Sequence, residues 1–185
     1  GKLIHSSLIS ATILALWSAG ANGAEFSIVD TGTPIALVVV RGEIERGDGD
    51  KFLEISENTE RAAILFESPG GALTEGLSIG RTIHDRGFST GVAPNTACAS
   101  ACALAWIAGT PRYMDPSALV GFHAAFIEKD GVRSESGAAN ALIGAYLFEL
   151  GLRDDAIIFA TSASPDGINW LTADAANRAG IPVTF

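Results

Sequence analysis

Three short segments carry the residue types that acyl transfer requires. Ser100 stands among small residues in Cys98-Ala99-Ser100-Ala101-Cys102, His123 ends Gly121-Phe122-His123, and two glycines close Ser68-Pro69-Gly70-Gly71. A serine hydroxyl is a weak nucleophile at neutral pH and needs a base, and the ordinary pKa of histidine suits that role. Backbone N–H groups in a glycine turn or at a helix start can stabilise an oxyanion. Together these parts indicate a serine hydrolase.

Each segment taken alone also has a simpler interpretation. Ser100 can be the N-cap of a helix, His123 a hydrogen-bonded core residue, and the glycine pair a tight strand-to-helix connection. The other histidines are poorer candidates for a base, since His5 lies in the first segment and His84 lies in a predicted helix beside charged residues. The combination favours catalysis, because all three segments follow predicted strands, where open α/β sheets place their sites.

The hydrophobic pattern predicts an α/β fold. Apolar runs predict buried strands at residues 35–40 and 62–66, and further strands are predicted at 88–93 and 118–122. Helical spacing predicts helices at 52–59, 73–86, 100–108, 138–150, 153–161 and 173–179. The glycines on the apolar stripe of the 73–86 helix should let it lie close to the sheet, and residues 42–50 and 94–97 are expected to be loops. Alternating strands and helices predict a mostly parallel sheet with a helical C-terminal part.

The first 24 residues have the order of a secretory signal peptide. Lys2 is followed by an apolar stretch and then by small residues, with Ala19-Gly20-Ala21 as the A-x-A pattern and cleavage after Ala24 as the alternative. An uncleaved membrane anchor is the competing interpretation, but the apolar run is shorter than the ~20 residues that a span needs. We therefore expect a domain at residues 25–185 that is exported to the periplasm or secreted, with no membrane attachment after cleavage.

Composition excludes several classes of protein. Apolar residues make up 48% and charged residues 18% of the 185 positions, which excludes disorder for most of the chain. A net charge of -9 argues against nucleic acid and anionic lipid as partners, because phosphates would be repelled. Two cysteines are too few for a disulfide-rich scaffold or an all-cysteine zinc site, and we expect no metal and no cofactor. In an oxidising compartment Cys98 and Cys102 can pair, with two small buried thiols as the alternative.

The same motifs resemble the ClpP-type serine peptidases of the ClpP/crotonase superfamily, especially small exported ClpP-like proteins. The resemblance rests on the Ser68-Pro69-Gly70-Gly71 turn, the serine segment ACASACALAWIAG at 97–109, the strand ending in GFHAAF at 121–126, and the closing elements LTADAA at 171–176 and Gly180-Ile181. It implies a ClpP/crotonase-like βαβ spiral over most of the mature chain.

The resemblance also implies roles for individual residues. Ser100 would be the nucleophile and His123 the general base, with the N–H groups of Gly70 and Ala101 as the oxyanion hole. The segment at 71–76, beginning with Gly71, Ala72 and Leu73, would bind an extended peptide as an added strand. Asp166 is the nearest acid for a triad, although the alignment itself falls on Ser164; Asp154, Asp155 and Asp174 are the fallbacks.

The chain departs from ClpP in the segment after His123. This segment is short and charged up to Gly137, whereas in ClpP it leads into a long helix that builds stacked rings. That difference argues against a tetradecamer and against dependence on an ATP-driven unfoldase, leaving a monomer or a small homo-oligomer. A Ser/Lys site is not favoured, because beyond the leader the only lysines are Lys51 and Lys129, both in charged stretches.

The leading hypothesis is an exported, ATP-independent serine peptidase that cuts peptides or unfolded segments of proteins. Its competitor is a non-catalytic protein that holds a peptide or acyl ligand on the same fold. A crotonase-like acyl-CoA enzyme is the weakest candidate, since the acidic chain has no evident phosphate-binding cluster.

Overall fold

The computed structural model describes residues 23–185, so the predicted leader lies almost entirely outside the described residues. Within that range the strands are β1 Glu25–Val29, β2 Ala36–Arg41, β3 Ala62–Glu67, β4 Ser89–Val92, β5 Ala97–Ala99, β6 Leu119–Phe122, β7 Phe126–Lys129, β8 Val132–Glu135 and β9 Asn169–Trp170. The helices are α1 Asp48–Glu57, α2 Leu73–Arg86, α3 Ala101–Trp106, α4 Gly137–Glu149, α5 Asp154–Thr161 and α6 Ala173–Ala179.

Two sheets and a hairpin form the framework. The larger sheet has the order β1-β2-β3-β4, with β2, β3 and β4 parallel and β1 antiparallel at the edge. The smaller sheet has the order β5-β6-β9, in which β5 and β6 run parallel and β9 antiparallel. A bridge between Ser68 and Cys98 joins the end of β3 to β5. The α/β class is as predicted.

The apolar runs became strands because their side chains are buried in alternation or on both faces. Val38, Val40, Ile64 and Phe66 have almost no exposed surface and lie at matched register positions of β2 and β3. Each parallel pair here is linked through a helix, α1 between β2 and β3 and α2 between β3 and β4. This connection carries the carboxyl ends of successive strands to one edge of the sheet.

The glycines of α2 do not face the sheet as we expected. A Cβ on Gly76 would lie 2.6 Å from the carbonyl oxygen of Ala101, and one on Gly80 would overlap the Tyr146 hydroxyl. Their absence of side chains therefore lets α2 pack directly on α3 and lets Tyr146 of α4 reach in between. The Tyr146 hydroxyl donates to the carbonyl of Leu104 at 2.5 Å, which ties α4 to α3.

Several elements differ from the prediction. Helix α1 begins at Asp48, inside the stretch expected to be loop, and β5 begins at Ala97, the last residue of the loop expected at 94–97. The β7–β8 hairpin occupies the charged segment after His123, and β1 and β9 were not predicted. Within residues 23–185, no helix has the length and apolar character needed to cross a bilayer.

Candidate active site

The turn that carries Ser100 lies between β5 and α3. Ser100 has φ 57° and ψ -124°, a region that residues with side chains rarely adopt. Such a conformation costs of order 1–3 kcal/mol and is tolerated where the surroundings impose it. A serine at the sharp turn between a strand and a helix is also the arrangement of the nucleophile elbow in α/β-hydrolases. The half-buried hydroxyl therefore sits where it can be presented to a cleft.

Two contacts hold this turn. The Ser100 N–H donates to the carbonyl of Gly121 at 2.9 Å, so the serine is fixed to the end of β6 just before His123. Gly70 packs against the same turn, since a Cβ at Gly70 would lie 2.8 Å from the Ser100 Cβ and 2.6 Å from the Ala99 carbonyl oxygen. Parallel pairing of β5 with β6, in register at Ala99 and Gly121, thus brings the serine and the histidine to the same edge.

Cys98 and Cys102 are joined in a disulfide with a Cα–Cα distance of 5.2 Å, and neither cysteine is free. Both residues are fully buried. The bond spans the end of β5 and the first turn of α3, so it closes a short loop around Ser100.

His123 follows β6 and is partly buried. Its Nδ1 lies 2.8 Å from the carbonyl oxygen of Ala124. A carbonyl oxygen can only accept, so Nδ1 carries the proton and Nε2 keeps its lone pair when the ring is neutral. The ring is therefore fixed in the tautomer that a general base requires.

The Ser100 hydroxyl and the His123 ring line one cavity of about 490 Å³, although no hydrogen bond joins them in the described structure. Catalytic hydrogen bonds often tighten only when substrate binds. The rest of the lining is mainly apolar and comprises Pro69, Gly71, Ala72, Leu73, Ala101, Leu104, Phe122, Ala125, Phe126, Arg133, Ile143 and Ala160. A cavity of this size and character is typical of a ligand site.

The two N–H groups expected to form an oxyanion hole, those of Gly70 and Ala101, differ in their hydrogen bonding. The Gly70 N–H donates to the Ser68 hydroxyl at 3.1 Å. The N–H groups of Gly71 and Ala101 have no hydrogen-bond partner among residues 23–185, and both residues line the cavity. Ala101 opens α3, where the first N–H groups lack partners within the helix. Of the two N–H groups expected at the site, that of Ala101 is therefore free, whereas the free glycine N–H is that of Gly71.

Asp166 does not complete a triad in this structure. Its side chain is 82% exposed and lies 3.8 Å from a terminal guanidinium nitrogen of Arg133. No carboxylate of the described residues forms a hydrogen bond or ion pair with His123; the Ala124 carbonyl occupies its Nδ1 instead. Among the fallback acids, Asp154 and Asp155 lie in the first turn of α5, and Asp174 pairs with Arg178.

The predicted peptide-binding segment is shorter than expected. Gly71, Ala72 and Leu73 all line the cavity, but α2 begins at Leu73, so the chain is not extended as far as residue 76. On its outer side Gly71 forms a parallel bridge with Ile44. The Ala72 N–H donates to the Ile44 carbonyl at 2.8 Å, and the Ala72 carbonyl accepts from the Gly76 N–H at 3.1 Å. Within residues 23–185, only Gly71 of these three therefore keeps both backbone groups free for an added strand.

The β7–β8 hairpin supplies site residues that the sequence reasoning missed. The ring of Phe126 lies 5.8 Å from the His123 ring, and the guanidinium of Arg133 lies 4.7 Å from the Phe126 ring centre. Arg133 is held by Glu128 at 3.1 Å. The signal that could have revealed this hairpin is Asp130-Gly131, a pair typical of two-residue turns with positive φ, here 52° and 75°.

The site contains no evident place for a metal. Within the described part of the chain, no three His, Cys, Asp or Glu side chains are grouped closely enough to hold an ion. The arrangement of a serine, a histidine and two free N–H groups resembles the parts of acyl-transfer sites that work without a metal.

Solved structures that resemble this one include two of 1510-N, described as a membrane-bound stomatin-specific protease. A serine-to-alanine variant of that protease matches with a TM-score of 0.59 and 18% identity, over 80% of this chain and 77% of its own. A lysine-to-alanine variant in complex with a substrate peptide matches with a TM-score of 0.59 and 19% identity, over 80% and 73%. Neither a family model nor a curated protein matches the sequence. The backbone likeness shows that the chain has a ClpP-like protease fold, as the sequence motifs indicated.

Proposed function

We propose that the protein is an exported serine peptidase that hydrolyses peptides or unfolded protein segments without ATP, with Ser100 as nucleophile and His123 as general base. The observation that carries the proposal is the strained Ser100 turn opening into the same cavity as a histidine with a free Nε2 and two unpaired N–H groups. A structural neighbour described with a bound substrate peptide supports a peptide as the ligand class.

The chemistry would proceed through an acyl-enzyme. The Ser100 Oγ attacks the peptide carbonyl carbon while its proton passes to His123 Nε2, and the carbonyl electron pair moves onto the oxygen. The N–H groups of Gly71 and Ala101 would stabilise that oxyanion. The C–N bond then breaks, and the leaving amine takes the proton from Nε2. Water next attacks the Ser100 ester, giving its proton to Nε2, and the released serine oxygen takes that proton back.

A Ser/His pair fits the cavity better than a Ser/Lys pair. Lys51 is ion-paired with Asp48 at 3.2 Å, and Lys129 is exposed at the end of β7. Neither is among the residues that line the cavity in the described structure. His123 is therefore the base that we assign.

The assignment is tested with a fluorophosphonate probe, which forms an adduct only with an activated serine. We expect labelling at Ser100, loss of labelling in Ser100→Ala, and a strong reduction in His123→Ala. His84→Ala is the matched control, since His84 lies on α2 outside the cavity, and it should label like the parent protein. An adduct on a different serine would reject the site.

The competing proposal is a non-catalytic peptide-binding protein on the same fold. It is favoured by peptide binding without any adduct or cleavage, and it is rejected if Ser100-dependent cleavage proceeds in the absence of nucleotide. Export is a separate part of the proposal, based on the leader-like order of residues 1–24. Fractionation of cells that express the full chain tests it, with recovery outside the cytoplasm as the expected result.

A further inference from the structure

Asp48 is a carboxylate with no exposed surface at the start of α1. Its Oδ2 accepts hydrogen bonds from the N–H groups of Ala24 and Glu45, both at 2.8 Å. Its Oδ1 lies 3.2 Å from the ammonium of Lys51, whose side chain is half exposed. Burying a carboxylate is costly unless it is paired and fully hydrogen-bonded. One of the groups that satisfy Asp48 thus comes from the very beginning of the described chain.

Ala24 is built into the fold. It is 6% exposed and belongs to the same apolar core as Phe52 of α1. Gly23, just before it, has φ +78°, and a Cβ at that position would lie 2.5 Å from the Asp48 Oδ1. The space in front of Ala24 is therefore filled by the Asp48 carboxylate and admits no side chain.

The bond between Gly23 and Ala24 is a candidate cleavage site for a signal peptidase. Ala21-Asn22-Gly23 places small residues at the first and third positions before Ala24, which is the pattern that signal peptidases require. We propose that the mature protein begins at Ala24 and that Asp48 is the binding site for its α-ammonium group. The proposal rests on the export part of the proposed function and not on the peptidase activity.

The three candidate cleavage sites have different consequences at Asp48. Cleavage after Ala24 would remove a buried residue and take away one donor to Oδ2. Cleavage after Ala21 would leave a neutral amide on the carboxylate. Cleavage after Gly23 would replace that amide by an ammonium, so that a neutral donor becomes a charged one opposite a buried negative charge. Hydrogen bonds between charged groups contribute more to stability than neutral ones.

The first experiment determines the N-terminal residue of the protein recovered outside the cytoplasm. We expect the sequence to begin with Ala24-Glu25-Phe26. A protein that is exported but begins at Asn22 or Glu25 would overturn the inference while leaving export intact. An uncleaved chain would overturn it as well.

The second experiment does not need export. Two forms are compared by urea unfolding, one starting at Ala24 and one retaining Asn22 and Gly23. We expect the unfolding equilibrium constant of the Ala24 form to be lower by a factor of about five or more, the gain from a charged hydrogen bond over a neutral one. Equal stability of the two forms would overturn the proposal.

Substitution of Asp48 tests whether its carboxylate is the group that binds the α-ammonium. In Asp48→Asn the advantage of the Ala24 form should disappear, and an advantage that persists would overturn the assignment. Glu75→Gln is the matched control, because Glu75 accepts the N–H of Gly49 at 2.8 Å in the same helix start but does not contact Ala24. It should lower the stability of both forms equally.

If Asp48→Asn does not fold, acylation of the α-amine in the parent protein decides. The α-amine should react more slowly than the exposed Lys129. Equal reactivity of the two amines would contradict burial of the α-amine.

Discussion

At the scale of single residues, the backbone of Ser100 is strained, and the contacts around it hold it in that conformation. Its N–H is bound to Gly121, Gly70 lies against its Cβ, and a disulfide joins the residues two positions away on either side. Relaxation of φ to a negative value would break these contacts together. The strain is thus maintained by the surrounding fold, at a residue that lines the cavity.

Gly70 should be essential for the reactivity of Ser100, because only a residue without a side chain fits beside the Ser100 turn. In Gly70→Ala the new Cβ would meet Ala99, Ser100 and the Ala101 nitrogen at 2.6–3.0 Å, at φ +100°. We expect the rate of fluorophosphonate labelling to fall by about 100-fold or more, because displacement of a positioned nucleophile is that costly. The control is Gly42→Ala, which has φ +94° but nothing within 4 Å of its Cβ. It should lose stability of about 1 kcal/mol and keep its labelling rate. Equal labelling of both variants would contradict this account of the turn.

Asp166 should matter little for catalysis. Removal of the acid from a Ser-His-Asp triad lowers kcat by about 10⁴-fold. Here the Ala124 carbonyl accepts from Nδ1 of His123, and Asp166 contacts Arg133 instead. The kcat of Asp166→Ala should therefore stay within about threefold of the parent, far from the loss seen when a triad acid is removed. Hydrolysis of a peptide ester, measured beside His123→Ala, checks it. A triad-sized loss in Asp166→Ala would show that the carboxylate moves to the histidine during catalysis.

At the scale of elements, the β5–α3 junction is the most constrained connection near the site. The Cys98–Cys102 disulfide closes a loop of a few residues, and the chain-entropy relation gives a stabilisation of about 2 kcal/mol for such a loop. The double variant Cys98→Ala/Cys102→Ala should lose about that much free energy of unfolding in urea. It should also label more slowly at Ser100, since the turn is less firmly held. The parent protein in reductant should behave like the variant, and unchanged stability in both would contradict the constraint.

The contact between α3 and α4 predicts a dependence of stability on alkaline pH. Burial raises the pKa of the Tyr146 hydroxyl, which donates to the Leu104 carbonyl. The folded state therefore holds this proton more tightly than the unfolded state, whose tyrosine pKa is about 10. Its contribution is complete below about pH 10 and is lost as the pH rises above that value. Urea unfolding between about pH 8 and pH 11 should show a decline that is smaller in Tyr146→Phe, with the exposed Tyr113→Phe as control. Identical pH profiles would contradict it.

The sequence predicted the elements with a strong hydrophobic pattern and missed those without one. The runs that became β2 and β3 are apolar on both faces, and the stripe of α2 has helical spacing, so their physical cause is local and visible. The exposed β7–β8 hairpin and the two-residue β9 bury few apolar side chains, and only the Asp130-Gly131 turn signals the hairpin. The sequence also did not predict that the α2 glycines lie against α3 and Tyr146 and not against the sheet, because the packing partner of a helix face depends on the rest of the fold.

At the scale of the whole molecule, the convergence of Ser100 and His123 could be predicted and the details of their surroundings could not. Parallel strands end at one edge, so residues that follow β5 and β6 must be neighbours whatever their side chains. The identity of the oxyanion donors depends on which way single peptide units point. That Gly71 and not Gly70 has the free N–H follows from the Ser68 hydroxyl, which accepts the Gly70 N–H, and no sequence motif indicates that hydrogen bond.

The net charge of the molecule should select among substrates. The chain carries -9 in total, and removal of the leader with Lys2 makes it one unit more negative. An acidic surface attracts cationic peptides and repels anionic ones, an effect that salt screens over a Debye length of about 10 Å at 0.1 M. Inside the cavity the guanidinium of Arg133 is already paired with Glu128, so it offsets little of this field.

We therefore expect peptides flanked by lysine to be cleaved faster than the same peptides flanked by glutamate. At low ionic strength the ratio of their kcat/KM values should be about tenfold, at the lower end of known electrostatic steering, and it should approach one as salt rises to about 1 M. A peptide flanked by serine, cleaved at nearly the same rate at all salt concentrations, separates charge from general salt effects. A preference that survives high salt would arise from direct contacts in the cavity, and the long-range field would then not be its cause.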